Sequence, residues 1–263
     1  MRHHPGSGGL PVADPVAYMT QVAASRYGRV FRERALAALD LRPGQVALDV
    51  GCGPGTNLAD LSAGVTAAGK VIGIDLDPAM AREARHRMAG QARWVQVMVG
   101  DGHALPLAGR SVDRARLDRV LQHARSPAGV LAEIARVARP GAVLALGEPD
   151  WATLAVDSPD LRTSADFTSF VCAHVVPNPC IGRELARLAL SAGFALRSVQ
   201  AYAVLFDDFA AADPVIGFTS LTRRAADSGF IGRDRADRWL TDLARTPFVA
   251  TVTFFTVAAE LTA

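Results

Sequence analysis

Apolar runs of strand length that alternate with helical stretches leave this chain few folds to adopt. Residues 46–50, 71–74, 94–99 and 143–147 are dominated by Val, Ile, Leu and Ala, as strands covered on both faces of a parallel sheet must be. Residues 111–117 make a poorer member of the set, because Arg114 and Arg116 interrupt the run. Helical stretches separate the runs: 57–63, 78–88 behind the cap Asp77, and 127–138 behind the cap Ser126, stopped by Arg139-Pro-Gly141. This alternation predicts an α/β fold, a doubly wound sheet with right-handed crossovers and a ligand crevice at the carboxyl ends of its strands.

Beyond Glu148 the spacing predicts helices over 159–175 and 181–192 and late strands over 194–201 and 251–260. Residues 206–247 are too many for a hairpin turn and carry helical patterns at 215–226 and 234–244, so they predict a local cap. At the other end, Asp14-Pro15 caps an amphipathic helix whose stripe runs through Val22, Ala23, Tyr27, Val30, Phe31, Ala35 and Leu39. The expected organisation is a disordered lead over 1–13 and a single domain over 14–263. That domain has an N-terminal helix at 14–40 and cap segments at about 151–192 and 206–247. Its sheet is Rossmann-like and seven-stranded, mostly parallel with the last strand antiparallel, under a helical cap.

Charge excludes some partners. Across 263 residues, 28 basic side chains nearly balance 26 acidic ones, which leaves no field to gather nucleic acid or a membrane surface. A small-molecule acceptor is expected, handled by a monomer or homodimer. Three sparse cysteines, Cys52, Cys172 and Cys180, make no disulfide framework and fit a reducing cytoplasm. No stretch reads as a signal peptide or membrane span. His3 and His4 lie in the disordered lead, and His174 between Cys172 and Cys180 lacks a second pair of ligands, so no metal is expected.

The ligand reading starts at Asp49-Val-Gly-Cys-Gly-Pro-Gly55. Its glycines permit a tight turn and close approach of a ligand, and the helix that follows offers free N–H groups to a carboxylate. A dinucleotide fingerprint needs glycine at position 56, where the chain has Thr56. Asp75 ends the second run at the offset, roughly 20 residues, where an acid takes ribose hydroxyls; Asp77, followed by Pro78, is the competing candidate but reads better as a helix cap. Asp101, in Gly100-Asp-Gly-His103, can accept from an exocyclic amine, or be an ordinary Asp-Gly turn.

Residues 46–150 resemble class I S-adenosylmethionine (SAM)-dependent methyltransferases, and among them the ubiquinone/menaquinone-biosynthesis C-methyltransferase group. The resemblance rests on the glycine turn, Gly73-Ile-Asp75, Gly100-Asp-Gly-His-Ala-Leu-Pro106, Asp118-Arg-Val-Leu-Gln-His123 and Arg136-Val-Ala-Arg-Pro-Gly141. It implies SAM as cofactor and S-adenosylhomocysteine as product. Asp49, Gly51, Gly53 and Gly55 would then meet the methionine part, Asp75 the ribose, and Asp101, Gly102 and His103 the adenine side, with Asn57, Leu76 and Met80 also among the cofactor contacts. Asp118 and Arg119 would return to the methionine end.

Methyl transfer needs alignment and exclusion of water more than a strong base, and proton removal helps only where the acceptor is a phenol, alcohol or acidic carbon. His123 and Asp150 are the candidate catalytic residues, with a packing role as the alternative for His123. Gln122, Trp151, Tyr18 and Tyr27 are the candidate acceptor contacts, against plain packing for the aromatics. The acceptor is expected to be a small apolar or aromatic molecule of quinone or natural-product type, methylated at carbon, oxygen or nitrogen. Two other functions stay open: a SAM-binding fold that catalyses a different reaction such as cyclisation, and a nicotinamide-dependent oxidoreductase.

Overall fold

The computed structural model describes residues 14–245 and 247–262, so residues 1–13, with His3 and His4, lie outside the described residues. Its strands are β1 (Val46–Val50), β2 (Lys70–Asp75), β3 (Val95–Val99), β4 (Val112–Asp118), β5 (Ala138–Val156), β6 (Phe194–Phe206) and β7 (Ala250–Leu261). They form one sheet in the order β3-β2-β1-β4-β5-β7-β6. Every pair from β3 to β5 is parallel, while β7 runs antiparallel between β5 and β6. The chain steps outward from β1 to β3 and then returns to β4 on the other side of β1. Loops leaving β1 and β4 therefore diverge, and the crevice opens between them.

The helices are α1 (Pro15–Ala24), α2 (Arg26–Leu39), α3 (Leu58–Val65), α4 (Pro78–Met88), α5 (Pro127–Val137), α6 (Leu161–His174), α7 (Ile181–Ser191), α8 (Phe209–Ile216), α9 (Phe218–Asp227) and α10 (Arg233–Leu243). Strand alternation sorts the apolar side chains into two cores on opposite faces of the sheet. Leu48, Val50, Ile72 and Ile74 face α5 and α7 through Leu131, Ile134 and Leu185, while Ala47 and Val71 face α3 and α4 through Leu58, Leu61 and Ala84. A third core, built on the aromatic side chains Phe167, Phe218, Trp239 and Phe248, ties α6, α8, α9 and α10 to the outer strands.

Three elements differ from the sequence expectation. The N-terminal helix is broken at Ser25, whose hydroxyl accepts from Gly28 N at 3.1 Å. Gly28 packs against the end of α1 so closely that a Cβ there would lie 2.3 Å from the Val22 carbonyl oxygen. The helix expected over 215–226 is likewise two, α8 and α9, divided by Gly217 at φ 82°, with Asp213 Oδ1 accepting from Thr219 N at 2.7 Å. Finally, β5 extends well past 143–147 through Glu148, Pro149 and Asp150, poor strand formers that are held by the ladder to β7.

Candidate active site

The turn after β1 is shaped by three glycines with left-handed backbones, Gly51 (φ 70°), Gly53 (φ 55°) and Gly55 (φ 78°). They do different work. A Cβ on Gly51 would meet Val120 Cγ2 at 2.4 Å and one on Gly55 would meet Ala84 Cβ at 2.9 Å, so these two permit packing. A Cβ on Gly53 meets nothing nearer than Met19 Cε at 3.8 Å, and its bare backbone borders the crevice.

Asp75 closes the far side. Its Oδ2 accepts from Gly53 N at 2.8 Å and its Oδ1 from Asp77 N at 2.9 Å, leaving each oxygen a lone pair to offer. Burial raises its pKa, against the pull of those two N–H groups. Asp77 instead caps α4, accepting from Ala79 N at 2.8 Å. Asp101 Oδ1 takes both His103 N, at 2.9 Å, and His103 Nδ1, at 2.6 Å, and these bonds hold its carboxyl below the usual range. His103 Nε2 in turn accepts from Ser126 N at 3.2 Å, so the ring is the Nδ1–H tautomer and both its nitrogens are spent.

Beneath the turn lies a buried ion cluster that no periodicity announces. Arg116, opposite Asp49 in the β1–β4 register, donates from Nη1 to Asp49 Oδ1 at 2.9 Å and from Nη2 to Asp118 Oδ2 at 2.7 Å. Asn57 Oδ1, with its amide turned to accept, lies 3.1 Å from Nη1. Arg119, at φ 58°, adds Nε to Asp118 Oδ1 at 3.2 Å. Burial opposes charge on Asp118, but Arg119 and Arg116 together hold its pKa down; on Asp49 burial prevails over Arg116 and raises it. Asp49 Oδ2 has no hydrogen-bond partner among the described residues.

The segment after β4 is clamped from below. Glu148 Oε1 accepts from Val120 N at 2.7 Å and Leu121 N at 2.6 Å, and Asn178 Nδ2 donates to Leu121 O at 2.9 Å and Ala124 O at 2.7 Å. Burial lifts the Glu148 pKa to about 8. On this clamped turn, Gln122 and His123 sit in a single 3₁₀ turn, Leu121–His123. Burial, then Arg119, pushes the His123 pKa down to about 4, so the imidazole is neutral.

Two cavities meet at this turn. The crevice, about 270 Å³, is lined by Gly51, Gly53, Asp75, Leu76, Met80, Asp101, Gly102, His103, Asp118, Arg119 and His123 among others. The second, about 110 Å³, is an apolar chamber under the cap, with Val171, Val204 and Phe254 in its walls and Tyr18, Gln122 and Trp151 as polar or aromatic members. Met19, Arg119 and His123 border both. The tyrosine Tyr18 straps α1 to the cap, its hydroxyl donating to Val215 O at 3.2 Å.

Several expected residues stand elsewhere. Asp49, Gly55 and Asn57 support the turn from behind and do not line the crevice. Asp150 lines neither cavity: strand alternation sends Pro149 and Trp151 into the chamber and Asp150 to the opposite side, where it is fully buried and paired with Arg183 of α7. A base at the acceptor is therefore not Asp150. The Tyr27 side chain lies outside the described residues. Arg116, Glu148 and Asn178 were missed, since each acts through partners far away in sequence.

The residues fit the methionine–ribose–adenine outline of SAM. A bare Gly53 backbone, Asp75 with two lone pairs, and the free side of the Asp101 carboxylate follow one another along one crevice, with Asp118 and Arg119 at its inner end.

Known proteins point the same way. A family model described as a methyltransferase domain matches residues 48–146. An uncharacterised 37.1 kDa protein of transposon TN4556 from Streptomyces fradiae is 47% identical over 95% of this chain and 72% of its own length. The demethylmenaquinone methyltransferase of Bacillus cereus is 28% identical over 49% of the chain, a match spanning only 55% of that relative. A geranyl diphosphate methyltransferase solved in complex with SAM superposes with TM-score 0.60 at 18% identity, covering 98% of each chain.

Replacing the buried guanidinium by Arg116→Met strands Asp49 and leaves Asp118 to Arg119 alone, and urea unfolding should show a loss of about 3–5 kcal/mol. Glu148→Gln tests the clamp. The folded carboxyl titrates at about 8, well above its unfolded value, so the wild type loses stability as pH rises between about 4.5 and 8. Glutamine keeps the Oε1 acceptor and cannot ionise. Its stability relative to wild type should therefore climb by up to about 1.4 kcal/mol per pH unit through that window, read by unfolding at pH 5, 6.5 and 8.

Proposed function

The chain belongs to the class I SAM-dependent methyltransferases, and from that premise we propose that it methylates a small, apolar or aromatic acceptor of quinone or natural-product type held in the chamber under the cap. The observation that carries this reading is the junction of the two cavities at Met19, Arg119 and His123. It is the place where an acceptor atom meets the methyl group.

Bound SAM supplies an electrophilic methyl on a sulfonium. The protein's share is alignment and dryness, and orientation of this kind contributes roughly 7–11 kcal/mol. Asp75 would hold the ribose, Asp101 the adenine edge, and Asp118 with Arg119 the methionine end of the cofactor. Walls of valine and phenylalanine exclude water from the acceptor. Neutral His123 accepts a hydrogen bond from an acceptor hydroxyl, or its proton as the new bond forms; a pKa of about 4 keeps the ring free to do so at neutral pH. The name of the menaquinone relative supports a quinone-like ring as substrate class. We further place the enzyme in the cytoplasm, as a monomer or homodimer of one domain over residues 14–263, acting without nucleic acid.

Incubation with methyl-labelled SAM and a panel of hydroxylated quinones, naphthols and phenols should carry label into the organic phase; absence of transfer to any apolar acceptor would sink the reading. Asp75→Ala should weaken SAM at least about tenfold by calorimetry, the loss of charged hydrogen bonds to ribose, with circular dichroism unchanged. His123→Ala should leave SAM affinity intact and slow turnover by about 10²-fold. Wild-type rate should show no inflection near pH 6.5.

A further inference from the structure

Gln122 is 4% exposed, yet one end of its carboxamide has no hydrogen-bond partner among the described residues. Oε1 accepts from the Trp151 indole Nε1 at 2.8 Å. An indole nitrogen can only donate. The amide flip that is normally cheap would here set two donors face to face, so Trp151 dictates the orientation of Gln122. Nε2 is turned the other way and makes no hydrogen bond to a described residue.

The surroundings narrow what Nε2 can serve. Gln122 and Trp151 both line the apolar chamber, and no carboxylate does among the described residues. Its other polar side chains among the described residues are the Tyr18 hydroxyl, already donating to Val215 O, the neutral His123 ring, and Arg119 at the neck. An ammonium would find no counter-charge there, and leaving a donor unmatched in a dry pocket is costly. An oxygen with lone pairs satisfies it.

Resting on the acceptor-chamber reading above, we propose that Gln122 Nε2 is a specificity-determining donor that selects an acceptor bearing a carbonyl, phenol or phenolate oxygen, and that Trp151 is the positioning residue that aims it. The substrate is thus an oxygenated ring compound and not an ammonium ion.

The test uses the full-length protein saturated with S-adenosylhomocysteine and three probes of one shape: 1-tetralone, which can only accept, its hydrocarbon tetralin, and protonated 1-aminotetralin. Calorimetry gives the tetralone-to-tetralin affinity ratio. Gln122→Leu should lower that ratio about tenfold without weakening tetralin, a hydrogen bond's worth. Gln122→Glu keeps an acceptor for Trp151 but replaces the donor by a carboxylate oxygen; it should weaken tetralone at least about tenfold and bind aminotetralin more tightly than wild type does. Trp151→Phe should lower the ratio severalfold in wild type and leave it unchanged in the Gln122→Leu background, a result that loss of packing alone would not give. An unchanged ratio in Gln122→Leu, with tetralin still bound, overturns the proposal alone. Failure of all three probes to bind the S-adenosylhomocysteine complex overturns the chamber as acceptor site and this inference with it.

Discussion

One buried guanidinium holds the catalytic end of this sheet together. Arg116 lies between Asp49 and Asp118, at the point where the loops after β1 and β4 part company and the crevice opens. Two carboxylates in a dry interior repel and are costly to desolvate, and a single arginine with good geometry on both makes the arrangement tolerable. The positions are tightly interlocked. Val120 fills the space that a side chain on Gly51 would need, and Val120 N is itself held by Glu148. Moving any one of these shifts the floor of the crevice.

The same cluster separates two chemical environments. On the crevice side, carboxylates at Asp75, Asp101 and Asp118 line the wall. In the chamber, Arg119 is the one charged side chain among the described lining residues, and burial keeps His123 neutral. A carboxylate-lined crevice and an apolar chamber thus meet at one 3₁₀ turn. That turn is rigid for identifiable reasons: Glu148 takes its N–H groups and Asn178 takes its carbonyls. Such preorganisation is what an alignment-driven reaction requires.

Much of this was legible in the residues. Strand and helix order, the glycine turn, and acids at the ends of the second and third strands follow from local spacing, because hydrophobic periodicity, caps and turn residues act over a few positions. Where the reading fell short, distant partners had overruled local pattern. Arg114 and Arg116 made 111–117 look like a weak strand, yet β4 lies inside the sheet because its arginines find Asp40 O and the two buried carboxylates. Asp150 looked like a crevice acid until strand parity turned it toward Arg183.

By itself the sequence determined the fold class and the cofactor, and put the candidate crevice residues on successive strand ends within one contiguous third of the chain. Only the tertiary structure decided the chamber beside it. That chamber draws on residues from Tyr18 to Phe254, and the Gln122 carboxamide in its wall is oriented because Trp151 on β5 reaches it on the turn after β4. Contacts across such separations leave no periodic trace; they arise when packing brings two polar groups together and the donor-only chemistry of one settles the orientation of the other.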